Sequence, residues 1–314
     1  MSEREIVCED VSLAIDELKH EGFRLDVIFP ADEPNTALLS RQGETVRLRV
    51  AGAQALPRDL PPFQSGYVLT RAGASSAKGR AGMLYRDLIP GRLGGRYIAS
   101  HIAIPEGGPV ADWVHYHRIA LQLIYVRRGW VRVVYEDQGE PFVMSEGDLV
   151  LQPPGIRHRV LESSPGLEVI EIGAPASHET LADHELALPN GERAGRSFGG
   201  QRFLRHVATE TPWTPFLGAQ AQETRIGEAT GGIAEVRTIR SAGADELCFP
   251  AHDGELVFGF VLDGIATLDG TPVVAGDAFA IPPEKEWKLG DMSGDLRLLH
   301  VTTARLDAAA SCPL

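Results

Sequence analysis

The sequence predicts a mainly β protein: two small β-barrels in tandem, with a small N-terminal α+β segment ahead of them. Three observations carry that expectation. A His-x-His pair at His115 and His117 is followed at regular intervals by turn glycines and a third histidine, His158. The same glycine and proline frame recurs downstream, and the first 50 residues read as strand, helix and three further strands.

In the N-terminal unit, residues 1–55, Glu5 to Cys8 reads as the first strand. Val11, Ala14, Ile15 and Leu18 fall at helical spacing in Val11 to His20, and Gly22 stops the helix. Arg24 to Phe29, Thr36 to Leu39 and Thr45 to Val50 read as strands, separated by the proline-flanked turn at 30–34 and by Gln42-Gly43. A βαβββ unit of this kind leaves a sheet edge that seeks a partner, so a homodimer pairing two copies is expected. Residues 56–82, with Pro57, Pro61, Pro62 and the Gly73 to Gly79 stretch, read as a linker.

The first barrel is expected over 83–176. Side chains alternate along a strand, so His115 and His117 share one face while Tyr116 points away. Ala120 to Val126 reads as a buried strand that carries Gln122 among aliphatic neighbours, and a buried amide needs partners; ligation of a metal by its carbonyl oxygen is one way to supply them. After Gly147, the turn Pro153-Pro154-Gly155 re-aims the chain and returns His158 inward. Three neutral imidazoles and one oxygen donor suit a divalent transition metal such as Fe(II), Mn, Ni, Co, Cu or Zn. Trp113, Ile124 and Val160 are the expected substrate-pocket residues, and His101, Tyr97 and Glu171 are candidates for a general acid or base, with wall packing as the plainer alternative for each. Arg157 and Arg159 alternate with His158 and should point outward, and Asp148 should bind local backbone.

At these positions the chain resembles the cupin superfamily. The family's first motif is a His-x-His pair, a Glu five residues later and a Gly seven further on; its second is Gly, five residues, Pro-x-Gly, two residues, His. Here Gln122 stands in the Glu position and Gly108 lies one residue farther from the pair than is usual, while the remaining spacing matches. The resemblance implies jelly-roll barrels and a metal on His115, His117, His158 and Gln122. The frame then repeats: His252 precedes Gly264 by twelve residues, as His117 precedes Gly129, and Gly276 precedes Pro282 by six, as Gly147 precedes Pro153. In this second barrel, 226–306, Pro250, Val257 and Trp287 stand where the first has His115, Gln122 and His158. One imidazole, His252, cannot hold a metal, so this barrel is expected to be metal-free with Trp287 filling its cavity. The connection 177–225 includes a polar, glycine-rich stretch at 189–200 and a Thr211-Pro212-Trp213 segment expected to pack on a barrel mouth or a subunit interface; 307–314 reads as a frayed tail. The N-terminal βαβββ unit also resembles half of a glyoxalase-type domain.

A catalytic first barrel followed by a degenerate second one resembles the bicupin dioxygenases that cleave gentisate and related hydroxy-aromatic acids on Fe(II), which implies O₂ chemistry on such an acid or on an enolisable dicarbonyl. A His-His-Gln-His set also resembles that of small cupins acting on unsaturated uronates and of cupin hydroxynitrile lyases, which implies redox-neutral Lewis-acid isomerase, lyase or hydrolase chemistry. A non-catalytic ligand- or metal-binding bicupin is the third reading. Dioxygenation stands ahead, with Fe(II) the favoured ion and a small molecule as substrate. A net charge of −13 argues against a nucleic-acid partner, because a phosphate-binding surface needs a basic excess. No apolar run is long enough to span a membrane, and Met1 to Glu5 lacks the basic-then-apolar pattern of a signal peptide, so a cytoplasmic location is expected. Cys8, Cys248 and Cys312 are odd in number and far apart, which argues against a disulfide framework.

Overall fold

The computed structural model describes residues 2–30, 32–53, 59–78 and 83–306. The tail expected at 307–314, Cys312, and the linker residues Pro57 and Gly79 lie outside the described residues.

The N-terminal unit forms as β1 (Ser2–Cys8), α1 (Val11–His20), β2 (Arg24–Phe29), β3 (Thr36–Arg41) and β4 (Glu44–Val50). Asp10 starts α1 by accepting from the amides of Ser12 and Leu13, which satisfies donors the helix itself cannot. The helix buries Val11, Ile15 and Leu18 against a sheet face carrying Leu39, Val46 and Leu48. Strand order is β1-β4-β3-β2, with β1 parallel to β4. The β2 edge is covered within the chain: β2 pairs with Thr180–Ala182, which pairs in turn with His115–His117. The N-terminal unit thus continues a sheet of the first barrel, and an edge on which the homodimer expectation rested is already occupied.

Each barrel is a pair of facing sheets. In the first, Phe142–Ser145, Trp130–Tyr135, His158–Ser163, His115–His117 and Thr180–Ala182 oppose a sheet built around Leu149–Leu151, Leu121–Arg128, Leu167–Ala174 and Ile98–Ile104. In the second, Leu247–Phe249, Trp287–Gly290, Ile265–Leu268 and Thr271–Val274 oppose Ala234–Arg240, Arg297–Thr303, Leu256–Asp263 and Ala278–Ile281. The barrels exchange strands. β5 (Val68–Thr70), from the stretch read as a linker, pairs with Ala278–Ile281 of the second barrel, and Leu204–His206 returns to pair with Leu149–Leu151 of the first.

The exchanged segments are pinned the same way in both barrels. Asp148 accepts from the amides of Ser145 and Ala208, and Asp277 from those of Val274 and Ala72. Gly147 and Gly276 turn the chain at φ of +90° and +92°, and a Cβ on either would come within 2.8 or 2.9 Å of the Ala208 or Ala72 methyl. Only glycine combines that backbone with that closeness.

Parity along the central strands explains the largest core. Leu121, Leu123 and Tyr125, with Ile170, Ile172 and Ala174, pack outward on Leu256, Phe258, Phe260, Leu299 and Val301 of the other barrel. The alternate residues Val126, Leu167 and Val169 face the first barrel's own interior. These strands therefore read as nearly continuous apolar runs, because both faces are covered.

Candidate metal centre

His115–His117 is a three-residue strand, and its alternation buries both imidazoles while Tyr116 lies outside under the Arg157 guanidinium, 4.2 Å from its ring. His158 starts the neighbouring strand directly opposite His115. The ring centroids of His115 and His158 are 4.2 Å apart, and each is 5.2 Å from that of His117. One ligand atom from each residue lies within 4.8 Å of the others, and all three side chains are buried.

The outer nitrogens are each engaged. His115 Nδ1 is 2.8 Å from the Trp113 carbonyl and 3.5 Å from Asp112 Oδ1; His117 Nδ1 is 3.1 Å from Thr180 Oγ1; His158 Nδ1 is 3.1 Å from the Ile156 carbonyl. The carbonyls beside His115 and His158 can only accept, which holds Nδ1–H there and leaves Nε2 as the lone-pair donor, and the Thr180 hydroxyl can accept from His117 Nδ1–H to set the same tautomer, the one metal-ligating histidines require. The residues thus fit a divalent transition ion: three neutral nitrogen donors, buried, preset and converging. Gln122 stands beside them on the cavity wall. Its Nε2 donates to Glu171 Oε1 at 2.6 Å, which orients the amide and leaves its carbonyl oxygen as the atom to offer a cation.

The imidazoles, Gln122 and Glu171 open on a cavity of about 110 Å³ whose remaining wall is mostly aliphatic, including Met83, Ile102, Ile124, Val131, Met144 and Val160. Tyr135 lines it too, stacked on His158 at 5.5 Å and accepting from Gln152 Nε2 at 3.0 Å; burial pushes its phenol well above the usual range. Ile124, Val160 and Glu171 lie on the cavity wall.

Three named residues do not. Tyr97 is buried at the barrel–barrel contact, its hydroxyl donating to Glu255 Oε2 at 2.9 Å and meeting Thr303 Oγ1. His101 is held by Glu168 at 2.8 Å beside Phe260 of the second barrel, and burial lowers its pKa despite that carboxylate. His101 is on the outward parity of Ile98–Ile104 and Tyr97 immediately precedes that strand; both meet the other barrel and neither lines the cavity. Trp113 precedes the His115–His117 strand, does not share its alternation, and packs on the N-terminal cluster with Lys19 over its ring. Arg157 turns outward to Asp183 at 3.0 Å and Arg159 is exposed.

Sequence reasoning missed Asp112, Thr180 and His178. Thr180 comes from a strand 63 residues downstream of His117, a pairing no local pattern discloses. Asp112 lies three residues before His115, and its Oδ2 also accepts from the Val160 amide at 2.9 Å, tying the strand that carries His158 to the loop that carries Trp113. His178 packs edge-on to His117 at 5.3 Å, with its Nδ1 at the Pro175 carbonyl and its pKa lowered by burial.

Among the described residues, the second barrel has no such cluster. Phe249 pairs with Trp287 as His115 pairs with His158, and the two rings stack face to face at 3.8 Å, filling the equivalent space. The residue replacing His115 is thus Phe249 rather than Pro250. His252 meets the Ile281 carbonyl at 3.3 Å.

Residues 100–172 match the family model for the cupin domain. Solved structures with a similar fold include protein Ylba from E. coli, 13% identical, with a TM-score of 0.54 over 79% of this chain and 94% of that one. They also include a mutant of Bacillus subtilis oxalate decarboxylase OxdC (13% identical, TM-score 0.54, 79% of this chain and 80% of that one). The formate complex of Lactobacillus farciminis oxalate decarboxylase is 12% identical, with a TM-score of 0.54 over 79% of this chain and 89% of that one. No curated protein matches the sequence. No helix among the described residues is long and apolar enough to cross a membrane.

Proposed function

We propose that this chain, whose residues 100–172 match the cupin domain model and which has a His₃ cluster in its first barrel and a filled second barrel, is a metal-dependent dioxygenase acting on a small enolisable dicarbonyl compound. The observation that carries this reading is the pairing of preset imidazoles with one carboxylate, Glu171, in a small aliphatic cavity. A cavity of about 110 Å³ is smaller than the roughly 150 Å³ space known to accept benzene, so a substrate of about five to seven heavy atoms suits it better than a hydroxy-aromatic acid. The aliphatic wall favours a substrate with a hydrocarbon body whose polar atoms gather at one end. Among the described residues no Lys or Arg lines the cavity, which disfavours a compact dianion such as oxalate.

Glu171, oriented through Oε1 by Gln122, is the proton acceptor for the acidic carbon between two carbonyls. His115, His117 and His158 would hold a divalent ion, which would supply Lewis acidity to the substrate's carbonyl oxygens. The aliphatic wall excludes water from the enolate, and Tyr135 and Gln152 fix the ring of His158 from behind. Dioxygenation then cleaves the carbon–carbon bond, with both atoms of O₂ entering the two fragments. A redox-neutral isomerase or lyase is the second reading. Gln122 favours it, because a neutral amide in place of a carboxylate leaves the whole divalent charge available for polarisation.

Iron-loaded protein with 2,4-pentanedione in an oxygen electrode separates the two. The first reading expects one O₂ consumed per substrate, no turnover under argon, and a loss of about 100-fold or more in Glu171→Gln with metal content unchanged. Anaerobic turnover that persists when Zn replaces Fe overturns it in favour of the second.

A further inference from the structure

A second cavity, of about 260 Å³, lies where the inter-barrel connection crosses between the barrels. Four guanidinium-bearing residues line it, Arg193, Arg196, Arg202 and Arg225, together with Phe203 and Gln138. They come from three separated parts of the chain. Gln138 follows the strand Trp130–Tyr135, Arg193 to Arg202 belong to the connection, and Arg225 starts the short helix Ile226–Thr230 of the second barrel. In a protein with a net charge of −13, such a gathering of arginines runs against the overall balance.

The four are not equivalent. Arg196 is held by Asp137 and by Glu136 at 2.8 Å, and Arg225 grips Glu228 through two contacts of 3.1 and 2.5 Å. Arg225 has a left-handed backbone, φ 64°, a conformation uncommon outside glycine, asparagine and aspartate. Arg202 reaches only the Glu228 carbonyl, at 3.4 Å, and Arg193 is 3.9 Å from Asp137. Two guanidiniums are thus paired with carboxylates and two keep donors to spare. Three carboxylates face four guanidiniums, which leaves a positive excess beside the apolar surface of Phe203 and Leu204.

We propose that this cavity is a binding site for a small organic anion bearing a carboxylate or phosphate group, separate from the metal pocket. A guanidinium fork matches either group with two parallel hydrogen bonds, and Phe203 offers a face for the ligand's carbon body. The site backs onto the metal centre: the Phe203 ring is 4.7 Å from Tyr135, which also stacks on His158 at 5.5 Å. The proposal stands independently of the reaction assigned to the first barrel.

Calorimetric titration of the full chain with inorganic pyrophosphate and, separately, with citrate tests it. Binding of either at one per chain supports the site, and the anion that binds identifies the phosphate or the carboxylate class. The Arg193→Ala/Arg202→Ala variant, altered only at exposed side chains, should bind about tenfold or more weakly, whereas Arg128→Ala, an exposed arginine elsewhere, should not differ. His117→Ala, which removes a metal ligand, should leave the anion affinity in place. Absence of binding at millimolar anion, equal affinity in the double variant, or loss of binding in His117→Ala overturns the proposal.

Discussion

Thr180→Val tests how the metal ligands are preset. Thr180 is 1% exposed, sits on the strand that joins the N-terminal sheet to His115–His117, and places Oγ1 3.1 Å from His117 Nδ1. Valine keeps the shape of threonine and the backbone pairing, so the perturbation is the loss of one acceptor. In the loaded protein His117 must keep its proton on Nδ1, and leaving that buried N–H unpaired costs about 1–3 kcal/mol. In the empty protein the ring escapes part of the cost by moving the proton to Nε2. The difference falls on the loaded state alone, so metal affinity should drop about 10- to 100-fold. Competition against a chromophoric chelator with Co(II) or Zn(II) measures it, and Thr180→Ser, which restores the oxygen, should bind close to the parent. A folded Thr180→Val protein with parental affinity would refute the idea that Thr180 sets the tautomer.

Two further outcomes concern the second barrel. Trp287→Ala removes half of the ring stack on Phe249 and should cost about 3–5 kcal/mol in urea unfolding while leaving the metal content of the first barrel unchanged. His300 is buried with neither ring nitrogen hydrogen-bonded among the described residues; burial first, then Arg237 and His252, push its pKa down to about 3. Its folded value lies below the unfolded one, so the neutral ring's contribution is present above about pH 6.5 and is lost as pH falls from there toward 3, amounting to about 2 kcal/mol between pH 6.5 and 5. His300→Leu should therefore lose less stability than the parent between pH 7 and pH 5, as read from urea midpoints; parallel losses in the two proteins would contradict this.

The sequence disclosed those features that depend on local geometry. Alternation across His115-Tyr116-His117, the turn that returns His158, and the boundaries of α1 all follow from dihedral preferences within a few residues, and the structure has them there. What it concealed depends on pairings between distant segments. Val68–Thr70 looks like linker because three residues between prolines and glycines carry little pattern, yet they complete a barrel more than 200 residues later, as the Ala278↔Thr70 register shows. Tyr97 and His101 meet the second barrel, which no local pattern could say, since apolar residues cover both sides of Ile98–Ile104. The repeat frame located the second barrel from its glycines but was one residue off at Phe249, because a histidine and a phenylalanine can fill one position without sharing a pattern.

Elemental analysis of the purified chain beside its His115→Ala/His117→Ala/His158→Ala variant bears most directly on the central claim, that three imidazoles of the first barrel hold a divalent ion. The account predicts about one transition-metal ion per chain in the parent, with X-ray absorption showing at least three nitrogen or oxygen donors at about 2.0–2.2 Å, and none in a variant whose second barrel still folds. A triple variant that retains its full metal content would contradict it.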